Sequence, residues 1–312
     1  MNTAHIRQLI KPWMLPLAML CGILFHSAIE TVLFLSPYLI FAMLLITFCK
    51  VDPRHIRPDM MSLSLLAVQI LGAMAVYFAI RPASEIVAQG VFICAFCPTA
   101  TAAPVITGML GGSVPKVAMY SIVSNTTVAL TAPALLEYMA GESAAGEISF
   151  IEGFTAICSK VGPLIITPML IAFVLAAVAP KVHGKIAGCQ SLSFYLWAVA
   201  LLIIVGNATG FIMSEPAEAI PTMLVIASCS LAVCIIQFIA GRLIGRHFGD
   251  RIAGAQGLGQ KNTVLAVWMA LTFLNPISSV GPASYILWQN IINSAQLYFK
   301  TRSDTKEIIK RT

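Results

Sequence analysis

Charge is what this sequence lacks most. Only 10% of its 312 residues are Asp, Glu, Lys or Arg, where soluble globular chains carry about 25%. A water-soluble domain is excluded, because its surface would have too few charged groups facing water. Acids are the scarcer sign, 13 against 19 basic residues. None of them falls inside an apolar run, which removes Asp-Asp and His-Glu pairs as intramembrane catalysts. A thiol framework is missing as well. The cysteines (Cys21, Cys49, Cys94, Cys97, Cys158, Cys189, Cys229 and Cys234) are scattered. The one C-x-x-C, Cys94 with Cys97, has no second pair, so it reads as small core residues rather than a metal or redox centre. His26, His55, His183 and His247 sit at the ends of apolar segments or in the loops between them, where they make poor metal ligands or proton relays. The sequence thus points to no catalytic residue, no metal and no cofactor.

Apolar residues are what the chain has, 58% of it, with a mean hydropathy of +0.88. The solvent for most of this chain is lipid. A bilayer-crossing helix takes roughly 20 residues, and the apolar runs predict ten spans near residues 12–28, 31–49, 61–80, 86–110, 114–138, 156–179, 190–213, 217–241, 250–274 and 279–299. The run at 13–25 has no A-x-A site and more spans follow it, so it reads as a first span rather than a signal peptide.

The charges test that count. With both termini cytoplasmic, the inner segments hold Arg7 and Lys11; Lys50, Arg54 and Arg57; Lys116; Lys181 and Lys185; Arg242, Arg246 and Arg251; and Lys300, Arg302, Lys306, Lys310 and Arg311. Only Arg81 and Lys160 fall outside, with the acids Glu30, Glu85, Glu137, Glu142, Glu147, Glu152, Glu215 and Glu218. This asymmetry is the positive-inside pattern of a multi-pass protein of the cell (inner) membrane. The net charge of +6 is therefore topology, not a nucleic-acid footprint. One base, Lys261, has no loop to occupy.

An acidic extracytoplasmic linker at 139–155 separates a first five-helix repeat, 1–138, from a second, 156–300, and 301–312 forms a basic cytoplasmic tail. Five is odd, so the second block enters the membrane inverted relative to the first, the usual architecture of secondary carriers. The fourth span of each block is interrupted. In the first, Cys97-Pro98-Thr99-Ala100-Thr101-Ala102-Ala103-Pro104 holds two prolines and two threonines; Pro98 and Pro104 each remove a backbone donor and disfavour helix at the residue before. In the second, Gly257 and Gly259 permit unwinding ahead of the polar run Gln260, Lys261, Asn262 and Thr263.

These residues resemble the bile acid:sodium symporter superfamily. The likeness rests on Cys97-Pro98-x-x-Thr101, on Gly259-x-x-Asn262-Thr263, and on Trp288-Gln289-Asn290-Ile291, which looks like that family's Trp-His-Asn-Ile segment. It implies an all-α polytopic fold of ten transmembrane helices, with core and panel domains that rock against each other and broken helices 4 and 9 that cross at the midplane. It also implies that Thr101, Asn262, Gln289 and Asn290 line the substrate cavity, with Thr99 and Thr263 beside them, and that Gln69 matches the sodium-site glutamine. The departures are specific. The family's sodium-ligating Ser-Asn pair reads Ala103-Pro104, its glutamate reads Gly257, a downstream serine reads Val117, and only Ser121 keeps a hydroxyl. The second-site glutamine aligns with Lys261, beside Gln260. An ammonium there repels sodium and takes its place, donating to the broken-helix carbonyls and to Gln69.

Lys261 is the residue on which function turns. A lysine at mid-bilayer costs about 2.5–3.5 kcal/mol on insertion scales, so it marks a functional site by default. It lies ten residues beyond Arg251, about 15 Å of helix rise, and its side chain cannot snorkel that far. Burial disfavours a charged amine, so Lys261 is either a fixed cation that makes transport cation-independent or a group that exchanges protons. The expected function is alternating-access transport of a small organic anion, sodium-independent and, in the second case, proton-coupled. Its partners are that anion, protons and the bilayer; a monomer suffices. The alternatives are a sodium-coupled symporter, a channel or scaffold, and an intramembrane enzyme, whose one available dyad is Ser121 or Ser124 with Lys261. Asn125, Thr126 and Thr127 form a polar patch in the fifth span that either faces the crossover or bonds a neighbouring helix.

Overall fold

The computed structural model describes residues 14–49, 59–100, 102–140, 150–214 and 217–311. Among them the chain is helical, with no strand beyond one isolated bridge. The helices are α1 (Met14–Leu24), α2 (His26–Ile29), α3 (Ser36–Phe48), α4 (Met60–Ile80), α5 (Glu85–Phe96), α6 (Ala103–Leu110) and α7 (Val114–Ala140). After residues 141–149 come α8 (Phe150–Val178), α9 (Pro180–Gly188), α10 (Gln190–Ser214), α11 (Ile220–His247), α12 (Arg251–Gly259), α13 (Thr263–Phe273) and α14 (Val280–Arg311).

Four segments are long and apolar enough to cross a bilayer: Thr31–Phe48, Met60–Ile80, Tyr195–Ser214 and Ala217–His247. Their outward faces are apolar too. Leu71 is 68% exposed, Leu224 63% and Ile236 61%, which is tolerable only where the surroundings are hydrocarbon. The protein is an all-α, membrane-embedded chain.

Polar residues punctuate the helices where the sequence leaves the apolar runs. The Asp59 carboxylate accepts from the backbone N–H of Ser62 at 2.8 Å and starts α4. The Asp250 carboxylate takes the N–H groups of Ile252 and Ala253 to start α12, and that of Ser113 at 2.7 Å, which ties the α6–α7 turn to the α11–α12 turn. Each cap satisfies donors that a helix start leaves open.

Small residues then set helix spacing. Gly241 and Gly245 on α11 meet Gly254 on α12 backbone to backbone, so close that a Cβ at any of the three would overlap the facing main chain. Such small-residue contacts hold membrane helices together without a hydrophobic driving force. Buried side chains gather into two main clusters. One joins α4, α5, α7, α11, α13 and α14 around Phe92, Phe96, Phe238, Met269 and Tyr285. The other, around Met43, Phe48, Trp197, Leu201 and Val205, is built on α1, α3 and α10 and reaches Val105 and Ile106 of α6. The interrupted segments lie where the two clusters meet.

Candidate functional site

Both interruptions are real breaks, and they pair with each other. Helix α5 stops at Phe96 and α6 starts at Ala103. Cys97, the residue before Pro98, takes φ −48°, ψ 143°, the extended geometry that a following proline enforces. Helix α12 stops at Gly259 and α13 starts at Thr263, with Gln260 at φ −89°, ψ 122°. The two extended stretches run antiparallel, centred on Thr99 and Lys261. The Ala100 N–H donates to the Gln260 carbonyl at 3.1 Å, and the Asn262 N–H donates to the Pro98 carbonyl at 2.8 Å.

Three of the four expected break residues do a different job from the one expected. Pro98 lies in the first break. Pro104 instead sits in the first turn of α6, where its fixed φ suits the helix start and its missing N–H costs nothing. Gly257 and Gly259 remain inside α12, and neither has a positive φ. Their hydrogens are needed for close packing: a Cβ on Gly257 would lie 2.9 Å from Tyr120 Cδ1, and one on Gly259 2.5 Å from the Phe238 ring.

The carbonyls freed at the ends of α5 and α12 are taken by neutral side chains. Gln69 Nε2 donates to the Phe96 carbonyl at 2.7 Å and the Cys97 carbonyl at 3.2 Å. Gln69 Oε1 accepts from Tyr120 at 2.6 Å and from Ser124 at 2.8 Å. Gln237 Nε2 donates to the Ala95 carbonyl at 3.0 Å. On α12, Thr99 Oγ1 donates to the Gly257 carbonyl at 2.9 Å and Tyr285 donates to the Gly259 carbonyl at 2.9 Å. Gln69 therefore has both lone pairs and both amide hydrogens in use.

That corrects the expected role of Lys261. It donates neither to the broken-helix carbonyls nor to Gln69. Its side chain is 1% exposed, and its Nζ has no hydrogen-bond partner among the described residues. Among the described residues, the titratable groups that act on it are the thiols of Cys97, Cys94 and Cys234, with no carboxylate. The main chain of Lys261 is held instead: its N–H donates to Gln289 Oε1 at 2.8 Å and its carbonyl accepts from Gln289 Nε2 at 3.3 Å. Gln289 thus pairs with the second break as an adjacent strand would.

A cavity of about 60 Å³ lies beside this crossing. On one side are Ala100 and Ala102 at the start of α6, Asn262 and Thr263 at the start of α13, and Gln260, Lys261, Gln289 and Asn290. On the other are apolar residues of α3 and α10, among them Met43, Trp197 and Leu201. The N-termini of two half-helices thus border one space with amide and hydroxyl groups; most of their first N–H groups are engaged within the chain, as at Ala103, Val105 and Leu265, so what they offer an anionic group is the positive end of each helix dipole.

The remaining expected residues fall into two sets. Asn262 caps α13 through Oδ1, accepting from Leu265 N–H at 3.2 Å, and Asn290 donates to the Ile286 carbonyl of its own helix at 2.7 Å. The Thr263 hydroxyl makes no hydrogen bond among the described residues. Gln260 donates to Gln256, which donates on to Gln296 Oε1 at 2.8 Å. Thr99 is fully buried behind the crossing and does not line the cavity. Thr101 lies outside the described residues. The Ser121 hydroxyl and Asn125 Oδ1, one turn apart on α7, are buried without partners among the described residues, while Asn125 Nδ2 reaches the Thr99 carbonyl at 3.4 Å.

Sequence reasoning missed Tyr285, Gln237 and the structural part played by Tyr120. Gln237 was visible as a lone amide within the apolar run of α11, the kind of residue that bonds a neighbouring helix. No protein-family model matches the chain, and no curated protein matches it either.

Proposed function

We propose that this chain is a secondary transporter that carries a small organic anion by alternating access and needs no sodium. The observation that carries the reading is the two-faced cavity: helix N-termini, amides and Lys261 on one side, Trp197 and aliphatic side chains on the other. A carboxylate fits the first face and its carbon skeleton the second. Ten crossings in two inverted five-helix repeats, with both termini cytoplasmic in the cell (inner) membrane, belong to the same proposal. So does the likeness to the bile acid:sodium symporters, of whose motif residues Pro98, Asn262 and Gln289 bond within this crossing.

The hydrogen bonding supports sodium independence. Sodium needs hard oxygen ligands, yet Gln69 Oε1 and the carbonyls of Gly257 and Gly259 are already engaged by Tyr120, Ser124, Thr99 and Tyr285. A serine–lysine enzyme has less support, because Ser124 is spent on Gln69 and the backbone of Thr99, and Ser121 does not reach Lys261. Lys261 lines the cavity and its amine is buried without a partner among the described residues, which leaves a substrate carboxylate or a proton to pair with it and is the basis for proton coupling.

Uptake into liposomes of radiolabelled monocarboxylates, with and without sodium and at two pH values, tests this. The expected result is saturable uptake without sodium, with Lys261→Ala altering its pH dependence. Uptake that requires sodium and ignores a proton gradient overturns it.

A further inference from the structure

A larger space opens on the outside of the helix pack. It has a volume of about 540 Å³ and lies between α1, at Met19, Leu20 and Ile23, and α14, at Ile291, Ser294 and Phe299. Helix α1 packs along α10 and touches α14 only lightly, which leaves this groove between them. Its walls face outward: Leu20 is 50% exposed and Phe299 65%.

We infer that the groove binds one acyl chain of an anionic phospholipid from the surrounding bilayer, with Lys300 and Arg302 meeting the headgroup. Four observations converge. From Phe299 to Ile291 the groove follows α14 for about 12 Å of helix rise, most of one leaflet of a hydrocarbon core about 30 Å thick. The lining is apolar except for Ser294, whose hydroxyl is buried, lines the groove and has no partner among the described residues. A lone hydroxyl in an apolar slot suits an acceptor carried on a greasy chain, as an ester carbonyl is. The next residues along α14 are predominantly basic: Lys300 and Arg302 are exposed, and Lys306, Lys310 and Arg311 follow in the sequence and outnumber the Asp304 and Glu307 set among them. An apolar slot with a cationic mouth matches a lipid that is apolar along its tail and negative at its head.

This inference rests on the membrane-embedded reading with the apolar stretch of α14 reaching the bilayer surface near Phe299. Membrane fractionation checks that reading separately: a chain found in the soluble fraction fails the reading, whereas a membrane-bound chain without the lipid fails only this inference. The test is native mass spectrometry of the purified full chain, equilibrated with mixed vesicles of phosphatidylglycerol and phosphatidylcholine. Wild type should keep phosphatidylglycerol in preference. Ala295→Trp, which fills the groove from an exposed position, should lower bound phosphatidylglycerol about tenfold. Lys300→Gln with Arg302→Gln should leave lipid bound but reduce the preference about fivefold per charge removed. Equal retention of the two lipids by wild type overturns the inference, as does an Ala295→Trp protein that keeps its phosphatidylglycerol. An experimental structure with the groove filled by residues 1–13 or by a second copy of the chain overturns it too.

Discussion

The two breaks that cross at the centre of this protein are built to opposite rules. The first, at residues 97–102, is neutral, and three carbonyls at the end of α5 have side-chain donors: Gln237 for Ala95, and Gln69 for Phe96 and Cys97. The second, at residues 260–262, carries Lys261, whose backbone is clamped by Gln289 while its Nζ is buried without a partner among the described residues. Buried polar groups in native proteins are nearly always satisfied, and an isolated buried charge is costly. The contrast assigns roles. Under the proposed function, the first break is a fixture that holds the crossing in place, and the second holds a group kept available for a substrate or a proton.

Mutations can break that comparison. The largest expected effect is on transport by Lys261→Met, which should lower uptake at least about tenfold, the equivalent of about 1.4 kcal/mol. The same change should leave the melting temperature unaltered or raise it, because an apolar chain of similar length replaces an unpaired buried amine. A fall in melting temperature with uptake intact would reverse the assignment of roles. Gln69→Leu should show the opposite pattern. It strands the Phe96 and Cys97 carbonyls with the Tyr120 and Ser124 hydroxyls, so a stability loss of about 2–4 kcal/mol is expected by thermal or denaturant unfolding. If Gln69 serves an ion instead, stability will hold and the ion dependence of uptake will move.

Smaller changes sharpen the picture. Gly259→Ala pushes a methyl into the Phe238 ring and should cost about 1–3 kcal/mol. If Gly259 acted by unwinding the backbone, a smaller residue at Phe238 would not rescue it; by the packing account Phe238→Leu recovers part of the loss. Thr99→Val removes a single bond to the Gly257 carbonyl and should cost about 1 kcal/mol, with little change in substrate affinity because Thr99 is buried behind the crossing rather than on the cavity. A large rise in KM for that variant would return Thr99 to the substrate site.

Much of the helical layout was legible because it depends on local terms. Apolar run length fixes where helices lie, and Pro98 marks the first break because a proline disfavours helix at the residue before it, although Pro163 and Pro168 lie within α8 without ending it. The second break is harder to locate from sequence. Gly257 and Gly259 look like the point of unwinding, yet the helix runs through Gly257 and ends only at Gly259, because what each position needs is space for Tyr120 and Phe238, two rings brought from other helices. Pro104 misleads in the opposite direction, since a proline ends one helix or begins the next depending on which side of the break it falls.

What the sequence determined by itself is the solvent and the odd residue out: a chain with so few charges must live in lipid, and Lys261 stands apart from the loops that hold the other bases. What only the tertiary structure decided is who pairs with whom. Gln69 caps α5 rather than facing Lys261, Gln289 holds a backbone rather than offering both its atoms to a ligand, and the lysine amine is left bare. Composition and hydropathy are sums along the chain, whereas hydrogen-bond satisfaction depends on which atoms of distant segments lie within about 3 Å of each other.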